Sequence, residues 1–322
     1  MKEIKVTKND SGQRIDRFLS KSFSLGQGQI CKLARKNCIK LNGKKCKPDT
    51  HIAENDIIKL FIPDEMLIPK AKSDPDDFTG VSDKIDIVYE DENILLVDKP
   101  VGMVVHEDES GDSDTLINRI KSYLYHKGEY RPENELSFAP ALCNRIDRNT
   151  CGIVIAAKNA ESLRILNQKI RDRELTKLYL CIACGKVTPD SATLTAYLEK
   201  NSDTNTVKIS DKKTKSNLTI KTKYKVIAYN GENSLLKVDL LTGRTHQIRA
   251  HLAYIGHALL GDGKYGNNKL NKKYGFKYQA LCSYELQFKF TTDAGCLSYL
   301  DGKCFKAKAP DFVKMFGSNI KL

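Results

Sequence analysis

Apolar residues recur with two different periods along this chain, and the period changes from one segment to the next. The run 14–19 places three apolar residues on one helical face, namely Ile15, Phe18 and Leu19. A second helix is predicted near 30–37, with Ile30 and Leu33 directed inward. Its basic residues then face solvent, and they are Lys32, Arg35 and Lys36. The chain therefore opens with two amphipathic helices.

Strand-like runs follow, and two of them meet at Asn-Gly pairs. Asn42-Gly43 and Asn230-Gly231 are strong signals for tight hairpins. A further antiparallel pair is predicted within 85–97, around an acidic turn. Helices are predicted at 115–125 and after an N-cap at Asn159. Antiparallel strands interspersed with a few helices indicate an α+β fold.

Charge is spread unevenly and marks a domain boundary. Residues 1–62 hold fourteen Lys and Arg against six Asp and Glu, whereas 63–92 hold three against ten. The acidic stretch is also rich in Pro and poor in aliphatic residues, a composition typical of linkers. We predict a small α/β domain at 1–62, an acidic linker at 63–83 and a large domain at 84–322. Within the large domain, 200–223 is interpreted as an exposed polar excursion.

The bulk composition points to an acidic partner. The 322 residues carry a formal net charge of +13, and the pI is near 9.1. Nucleic acid is the favoured partner and a membrane surface the alternative. No apolar run approaches the length of a membrane span, and the first residues lack a signal-peptide core. We therefore expect a cytoplasmic protein, monomeric, with its ten cysteines reduced.

One carboxylate stands out from this background. The stretch 144–152 places Asp147 between Arg145 and Arg148, directly before a β-branched run. An opposite charge within a few ångströms lowers a carboxylate pKa by roughly 1–3 units. We expect the flanking arginines to hold Asp147 ionised, which suits attack at an electrophilic carbon of a polyanion. The alternative is an exposed ion-pair loop before a strand.

Five ordered motifs resemble those of the RluA family of pseudouridine synthases. The stretch 144–152 is similar to that family's His-Arg-Leu-Asp-x-x-Thr-Ser-Gly loop, and 241–252 to its Thr-Gly-Arg-x-His-Gln-(Ile/Leu)-Arg-x-His segment. The remaining motifs correspond to Asp98-Lys99-Pro100, Lys177-Leu178-Tyr179 and 256–266. The likeness covers roughly residues 84–310. Two positions depart from the pattern: Asn144 replaces the usual His, and Cys151 replaces the usual Ser.

The resemblance implies isomerisation of uridine to pseudouridine, in a cleft across the middle of a long mixed sheet. It makes Asp147 the catalytic residue, attacking either the sugar or the uracil ring, with Arg249 as its charge partner. We expect Thr245 to cap a helix that carries Arg249. Tyr179 is implied to be the platform on which the flipped-out base stacks. The residues expected to contact RNA are Arg145, Lys177, Arg244 and Ile248.

The N-terminal module resembles the small RNA-binding domain named for ribosomal protein S-four. In that domain a basic helical face grips structured RNA, and here the equivalent residues are Lys32, Arg35 and Lys36. Gly26-Gln27-Gly28 replaces the usual Ser-Arg before the second helix, so the grip is weaker or differently placed. The appended module favours a large folded RNA as partner, ribosomal RNA rather than transfer RNA. A solvated basic face is the alternative.

Metal and cofactor chemistry is not required by this interpretation. Cys181 and Cys184 have ligand-like spacing but lie in a predicted strand, where positions three apart face opposite ways. The three histidines of the later motifs lack helical pair spacing; they are His246, His251 and His257. Two other functions remain open. One is an RNA-binding relative without turnover, and the other is glycoside hydrolysis, which needs two carboxylates flanking the bond.

Overall fold

Two β-sheets organise the protein, a small one near the N-terminus and a large one in the rest of the chain. The computed structural model describes residues 1–69, 76–107, 111–201, 206–317 and 320–322. Over these residues the small sheet has four strands and the large sheet eleven. The predicted α+β architecture with a mainly antiparallel mixed sheet is confirmed.

The N-terminal domain contains both predicted helices and the predicted hairpin. Its elements are β1 (Lys2–Lys5), α1 (Ile15–Ser22), α2 (Gln27–Arg35), β2 (Ile39–Leu41), β3 (Lys44–Lys45) and β4 (Ile57–Leu60). The apolar face of each helix is buried, with Phe18, Leu19 and Ile30 fully enclosed. Asn42 and Gly43 both adopt positive φ, 50° and 76°, as a tight two-residue turn requires. The strand order is β1-β4-β2-β3.

The large domain alternates strands with a few helices. Its strands are β5 (Ile87–Glu90), β6 (Ile94–Lys99), β7 (Ala141–Leu142), β8 (Cys151–Ala157), β9 (Leu175–Cys184), β10 (Ser191–Asn201), β11 (Thr206–Ser210), β12 (Leu218–Tyr229), β13 (Asn233–Leu240), β14 (Leu281–Phe288) and β15 (Cys304–Lys306). Its helices are α3 (Asp76–Thr79), α4 (Leu116–His126), α5 (Ala160–Arg171), α6 (Gln247–Tyr254) and α7 (Asn268–Lys273). The described residues also form short 3-10 helices at Asp64–Met66, Pro132–Asn134, Gly295–Leu300 and Asp311–Phe316. Asn159 caps α5 by accepting a hydrogen bond from Ser162 N, as predicted.

Strand order and face alternation decide which helices share a side of the large sheet. The order is β11-β10-β12-β13-β9-β14-β8-β6-β5, and neighbours are antiparallel except β8 and β14. Along β8, Ile153 and Ile155 pack with α5, whereas Val154 and Ala156 pack with α4. Helix α6 lies over β10, β11 and β12. Ile146 packs both with the α4 cluster and with the cluster that includes α6, so these two helices share one face.

The predicted acidic linker at 63–83 is wrong at both of its ends. Leu67 is buried in the N-terminal core, and Pro69 forms a β-bridge with Phe23. Phe78 is fully buried beneath α4. Apolar burial thus assigns 63–69 to the first domain and 76–83 to the second. Residues 70–75 lie outside the described part of the chain.

The predicted excursion at 200–223 is also wrong, because most of it is sheet. Strands β11 and β12 pair with β10 over this region, and Ile220 is fully buried. Lys221 and Lys223 alternate with buried residues, so only one face of β12 is polar. The high lysine content of the segment hid this period-two pattern. Residues 202–205 are not among those described.

The two domains are joined by polar contacts. The Asn9 amide donates to Glu135 Oε1 at 2.7 Å, and its Oδ1 accepts from the Ala160 backbone at 3.3 Å. Ser137 donates to Asp10 Oδ1 at 2.6 Å and accepts from Gln13 at 2.8 Å. The first domain therefore rests on the loop before β7 and on the N-terminus of α5.

Candidate active site

The loop that carries Asp147 runs between β7 and β8 and is anchored on both sides. Asn144 Oδ1 accepts a hydrogen bond from Ile155 N at 2.8 Å, and Thr150 N donates to Asp147 O at 3.0 Å. At the far end Gly152 has a φ of +108°, and an added Cβ would lie 2.2 Å from Ser283 O. Only glycine fits that crossing of β8 and β14. Asn144 thus supports the loop through its side-chain amide at the position where the family pattern has His.

A buried lysine holds the loop from below. Lys99, at the end of β6, is fully buried, and its Nζ donates to three carbonyls: Pro100 O at 2.8 Å, Met103 O at 2.8 Å and Arg148 O at 2.9 Å. Burial lowers the pKa of this amine to about 8. Three acceptors match the three N–H donors of the protonated amine. The protonated form therefore ties the loop to the end of β6.

Arg249 is the electrostatic centre of the site. Its Nη1 lies 2.7 Å from Asp147 Oδ2, while its Nε and Nη2 bind Asp262 at 2.7 and 3.0 Å. Arg249 is 5% exposed and Asp262 is fully buried. Burial opposes ionisation of Asp262, but the hydrogen bonds and charge of Arg249, together with the backbone N–H groups of Lys264 and Tyr265, set the pKa of that carboxyl below its usual range. The bidentate pair fixes the guanidinium plane, which leaves Nη1 aimed at Asp147.

His246 approaches the same carboxylate oxygen from the start of α6. Its Nε2 lies 3.9 Å from Asp147 Oδ2, and its Nδ1 lies 2.9 Å from the Tyr265 hydroxyl. That hydroxyl already accepts a hydrogen bond from Val207 N at 2.9 Å. Tyr265 is therefore free to donate its own proton to Nδ1, which places the imidazole proton on Nε2, facing Asp147. Burial lowers the pKa of His246, which keeps the ring neutral at pH 7.

These contacts distinguish the two oxygens of Asp147. Arg249 and His246 both address Oδ2, and Oδ1 has no hydrogen-bond partner among the residues that the structure describes. The Asp147 side chain as a whole is 27% exposed. A carboxylate held by one oxygen with the other open is arranged for nucleophilic or basic chemistry.

Tyr179 forms the apolar wall beside this carboxylate. It lies on β9, is 5% exposed, and packs in a cluster with Ile248 and Leu252 of α6. Ile146, the residue before Asp147, packs against the same cluster. Burial raises the pKa of the Tyr179 hydroxyl to about 12, so the ring stays neutral. The predicted residues Asp147, Tyr179, Ile248 and Arg249 thus meet in one place, although each comes from a different part of the sequence or helix face.

The other residues that were predicted to contact RNA differ in how exposed they are. Lys177 is half-buried two positions before Tyr179 on the same face of β9, and burial lowers its pKa. Arg145 and Arg244 are exposed at the surface. The basic residues of α2 all face solvent, as predicted: Lys32, Arg35 and Lys36.

The expectation that the flanking arginines pair with Asp147 is wrong. Among the described residues its ion-pair partner is Arg249, and the neutral ring of His246 lies 3.9 Å from the same oxygen. Arg148 instead donates to Gly102 O at 3.0 Å. Adjacent residues in a turn point in different directions, so neighbours in sequence do not become neighbours in space.

The N-cap of α6 is not the predicted residue. Helix α6 begins after His246, not Thr245, and His246 takes the left-handed conformation with a φ of 51°.

The histidines and cysteines that were considered as metal ligands have other contacts. His251 hydrogen-bonds Thr222 and His257 hydrogen-bonds Cys184 O, both away from His246. Cys181 and Cys184 pack in different clusters. Within the described residues no group of three or more His, Cys, Asp or Glu is placed to hold a metal ion.

Sequence reasoning missed four residues that build the site: Lys99, His246, Asp262 and Tyr265. Each lies inside a quoted motif, so the signal was present. Asp262 follows Gly261, whose φ of +81° and contact with Tyr278 O require glycine. A carboxylate that follows such a constrained glycine is a candidate for a buried partner of Arg249.

Solved structures share the fold of this protein. The fold is shared with two solved human proteins, RNA pseudouridylate synthase domain containing 4 and 1. Their TM-scores are 0.56 and 0.53 at 18% and 19% identity, over 71% and 74% of this chain and 90% and 97% of theirs. The fold is thus the one that these two pseudouridylate synthase domain proteins share.

The sequence comparisons then give the family. The chain belongs to the RNA pseudouridylate synthase family, whose model matches residues 93–254, and it is an RNA pseudouridine synthase. It is 36% identical to an uncharacterised RNA pseudouridine synthase of Mycoplasma genitalium, over 88% of each chain. It is 32% identical to ribosomal large subunit pseudouridine synthase D of Borreliella burgdorferi, over 81% of this chain and 78% of that one. The resemblance to the RluA family is confirmed.

No helix among the described residues is both long enough and apolar enough to cross a membrane.

Proposed function

We propose that this enzyme converts specific uridines to pseudouridine in structured ribosomal RNA, with Asp147 as the nucleophile. Relatives named as ribosomal large subunit pseudouridine synthases support the choice of RNA. The catalytic assignment rests on one observation. Arg249 binds Oδ2 of Asp147 at 2.7 Å, and Oδ1 has no hydrogen-bond partner among the described residues. A ribosomal RNA substrate places the activity in the cytoplasm, and a monomer suffices because all of the site residues come from one chain.

The reaction breaks a C–N glycosidic bond, turns the uracil and forms a C–C bond, without net oxidation or reduction. In this proposal Asp147 Oδ1 attacks an electrophilic carbon of the target nucleotide. Arg249 holds the carboxylate in one orientation. At about 4 Å and an effective dielectric near 20, such a pair interacts by roughly 4 kcal/mol. For attack at the sugar carbon, the electron pair of the broken C–N bond leaves on the uracil nitrogen. When a carbon of the turned base bonds to the sugar carbon, the bond to Asp147 breaks and its electron pair returns to Oδ1. The proton that this base carbon loses is taken up by the uracil nitrogen, so atoms and electrons balance.

The target nucleotide must leave the RNA stack to reach Asp147. Stacking on Tyr179 contributes on the order of 1–3 kcal/mol, comparable with the cost of unstacking one base. Ile248 packs beside Tyr179 and closes the apolar wall that receives the base. Arg145 is exposed next to the catalytic carboxylate, where it fills the gap that the flipped base leaves. Arg244 and Lys177 contact the phosphate backbone near the cleft.

Replacement of Asp147 by Asn tests this proposal. The amide keeps the shape but removes the nucleophilic charge, so conversion of transcribed large-subunit ribosomal RNA should fall below detection. RNA affinity should stay within about twofold, because Oδ1 makes no contact that holds the fold. Asp172→Asn is the matched control, since Asp172 is exposed and accepts only from Gln168 at 2.6 Å. Appreciable pseudouridine formation by Asp147→Asn would reject Asp147 as the catalyst.

A further inference from the structure

Three exposed cations meet where the two domains join. Arg17 and Lys21 lie one turn apart on the solvent face of α1, and Arg164 lies on the exposed side of α5. We call Arg17, Lys21 and Arg164 the junction cations. They belong to neither the catalytic cleft nor the basic face of α2.

The domain contacts described above bring these side chains together. Asn9 binds the first residue of α5, and Asp10 binds Ser137. The intervening turn places Gly12 directly under Arg164, since an added Cβ there would lie 2.8 Å from Arg164 Nη2. The Arg164 guanidinium of the second domain therefore rests on the first domain, beside α1.

The cluster is electrostatically unsatisfied. Partial burial, and then the charges of Arg164 and Arg17, lower the pKa of the Lys21 amine. Asp10 is the nearby carboxylate, but its oxygens are already taken by Thr7 at 2.7 Å and Ser137 at 2.6 Å. Within the described part of the chain, none of the junction cations forms an ion pair. Like charges held this close cost stability, so the free protein gains nothing from the arrangement.

We propose that the junction cations bind a backbone phosphate of the RNA substrate, and that this phosphate bridges the two domains. The inference rests on the proposed RNA substrate but not on the identity of the catalytic residue. A phosphate bound between the three cations offsets their mutual repulsion. It supplies the negative charge that the described part of the protein does not place beside them. An RNA partner fits a chain of net charge +13 that acts on RNA.

The position of the junction also sets a length requirement on the RNA. Asp147 precedes β8, and α5 follows this strand on the opposite face of the large sheet from α6, so at least the length of the seven-residue strand separates the two sites. At about 3.3 Å per residue, that separation is on the order of 20 Å or more. At roughly 3.4 Å per base pair, a duplex shorter than about six base pairs placed in the cleft does not span it. Long substrates should therefore use the junction, and minimal ones should not.

Substitution of the junction cations by Gln tests the proposal with binding alone. The probes are a transcribed domain of large-subunit ribosomal RNA and a five-base-pair stem–loop, titrated by anisotropy at several salt concentrations. For the long RNA, Arg17→Gln/Lys21→Gln/Arg164→Gln should lower the log–log salt slope by about 0.7–0.9, because one phosphate contact is lost. For the stem–loop the slope should not change. The control variant Lys269→Gln/Lys272→Gln/Lys277→Gln removes three exposed charges that lie outside α1 and α5.

Thermal stability separates this role from a structural one. Arg164→Gln should leave the Tm of the RNA-free protein unchanged or raise it slightly, because it relieves repulsion, and yet weaken binding of the long RNA. A lower Tm would show that Arg164 stabilises the domain junction and would overturn the proposal. An equal slope in the junction and control variants would overturn it as well, as would saturation of the site by inorganic phosphate with no effect on RNA binding. Failure of the parent enzyme to bind the large-subunit ribosomal RNA would instead count against the proposed substrate.

Discussion

At the scale of single residues, the site depends on how one guanidinium divides its donors. Arg249 gives two nitrogens to the fully buried Asp262 and one to the cleft-facing Asp147. The buried pair is structural, because a charge of that kind must be paired to stay ionised. The partly exposed carboxylate of Asp147 therefore faces a guanidinium that Asp262 already orients. Arg249 and Asp147 are thus paired before any substrate binds.

Removal of the Tyr265 hydroxyl tests the contact that orients His246. Tyr265→Phe leaves Nδ1 without its donor, so the proton no longer favours Nε2. One hydrogen bond is worth about 0.5–1.5 kcal/mol, which corresponds to a fall in kcat of roughly three- to tenfold. RNA affinity should not change, because the hydroxyl faces His246 and not the cleft surface. Steady-state kinetics on ribosomal RNA measure the two separately.

The matched control for Tyr265→Phe is Tyr229→Phe. Its hydroxyl also makes a hydrogen bond, to Gly231 O, but it is exposed in a hairpin remote from the site. A fall in RNA affinity with kcat unchanged would contradict the orienting role of Tyr265.

Lys99 gives a prediction with a pH dependence. Lys99→Met removes the donor shared by Pro100 O, Met103 O and Arg148 O, of which Arg148 O keeps a second donor, Gly102 N at 2.9 Å. The Asp147 loop then loses this anchor, and kcat should fall about tenfold or more. In the parent enzyme, burial lowers the pKa of Lys99 to about 8, so the third N–H is lost as pH rises through that value. Turnover should therefore decline above pH 8 in the parent. The variant should lack that alkaline decline.

Lys158→Met is the control for Lys99→Met. Lys158 is also buried, with its Nζ on Glu90, Glu129 and Asp91 O, but it lies at the opposite end of β8. It should lose stability with kcat unchanged and keep the parent's pH profile. An identical kinetic profile for the two variants would show that Lys99 acts only through overall stability.

At the scale of elements, the turn from α5 into β9 is held by a buried ion pair. Lys169 Nζ lies 2.6 Å from Glu174, whose other oxygen accepts from Thr291 and Thr292 at 2.6 and 2.9 Å. Lys169, first of all, and then the threonine hydroxyls, lower the pKa of Glu174 to about 2. The contact joins the end of α5 to the loop after β14, and so fixes the start of the strand that carries Tyr179.

The stability contributed by this pair should depend on pH in one direction only. Because the pKa of Glu174 is lower in the folded state, its contribution is complete above about pH 4.5 and is lost as pH falls towards 2. Glu174→Gln should therefore be less stable than the parent at pH 7, and the difference should shrink between pH 4.5 and 2. Urea unfolding at several pH values measures this difference. A difference that is constant with pH would contradict the prediction.

At the scale of the whole molecule, the domain boundary decides which truncation is informative. A chain that begins at residue 63 keeps Leu67 and Pro69 but lacks the N-terminal domain against which they pack. A chain that begins at residue 70 lacks both of these residues. The shorter chain should fold and bind large ribosomal RNA more weakly, with a shallower salt slope, because it lacks the basic faces of α1 and α2. It should still convert uridine in a minimal stem–loop.

Circular dichroism of the chain beginning at residue 70 verifies that it folds, and anisotropy titrations give the slope. An unchanged salt slope on large RNA would show that the N-terminal domain does not touch the substrate.

The sequence by itself determined the elements and the candidate chemistry of this protein. The local pattern of apolar and turn residues was sufficient to predict α1, α2 and the two Asn-Gly hairpins, because that pattern does not depend on distant residues. The spaced motifs identified Asp147, Tyr179 and Arg249. Alternation failed at β11 and β12, where lysines on the solvent face masked a buried row that includes Ile220.

Only the tertiary structure decided which groups face one another. It replaced Arg145 and Arg148 with Arg249 and His246 as partners of Asp147, because a turn separates neighbours while sheet pairing unites residues a hundred positions apart. It also buried Asp262 behind Arg249 and Lys99 beneath the loop. Charge contacts follow from distance in space, and a linear pattern of residue types does not contain that distance.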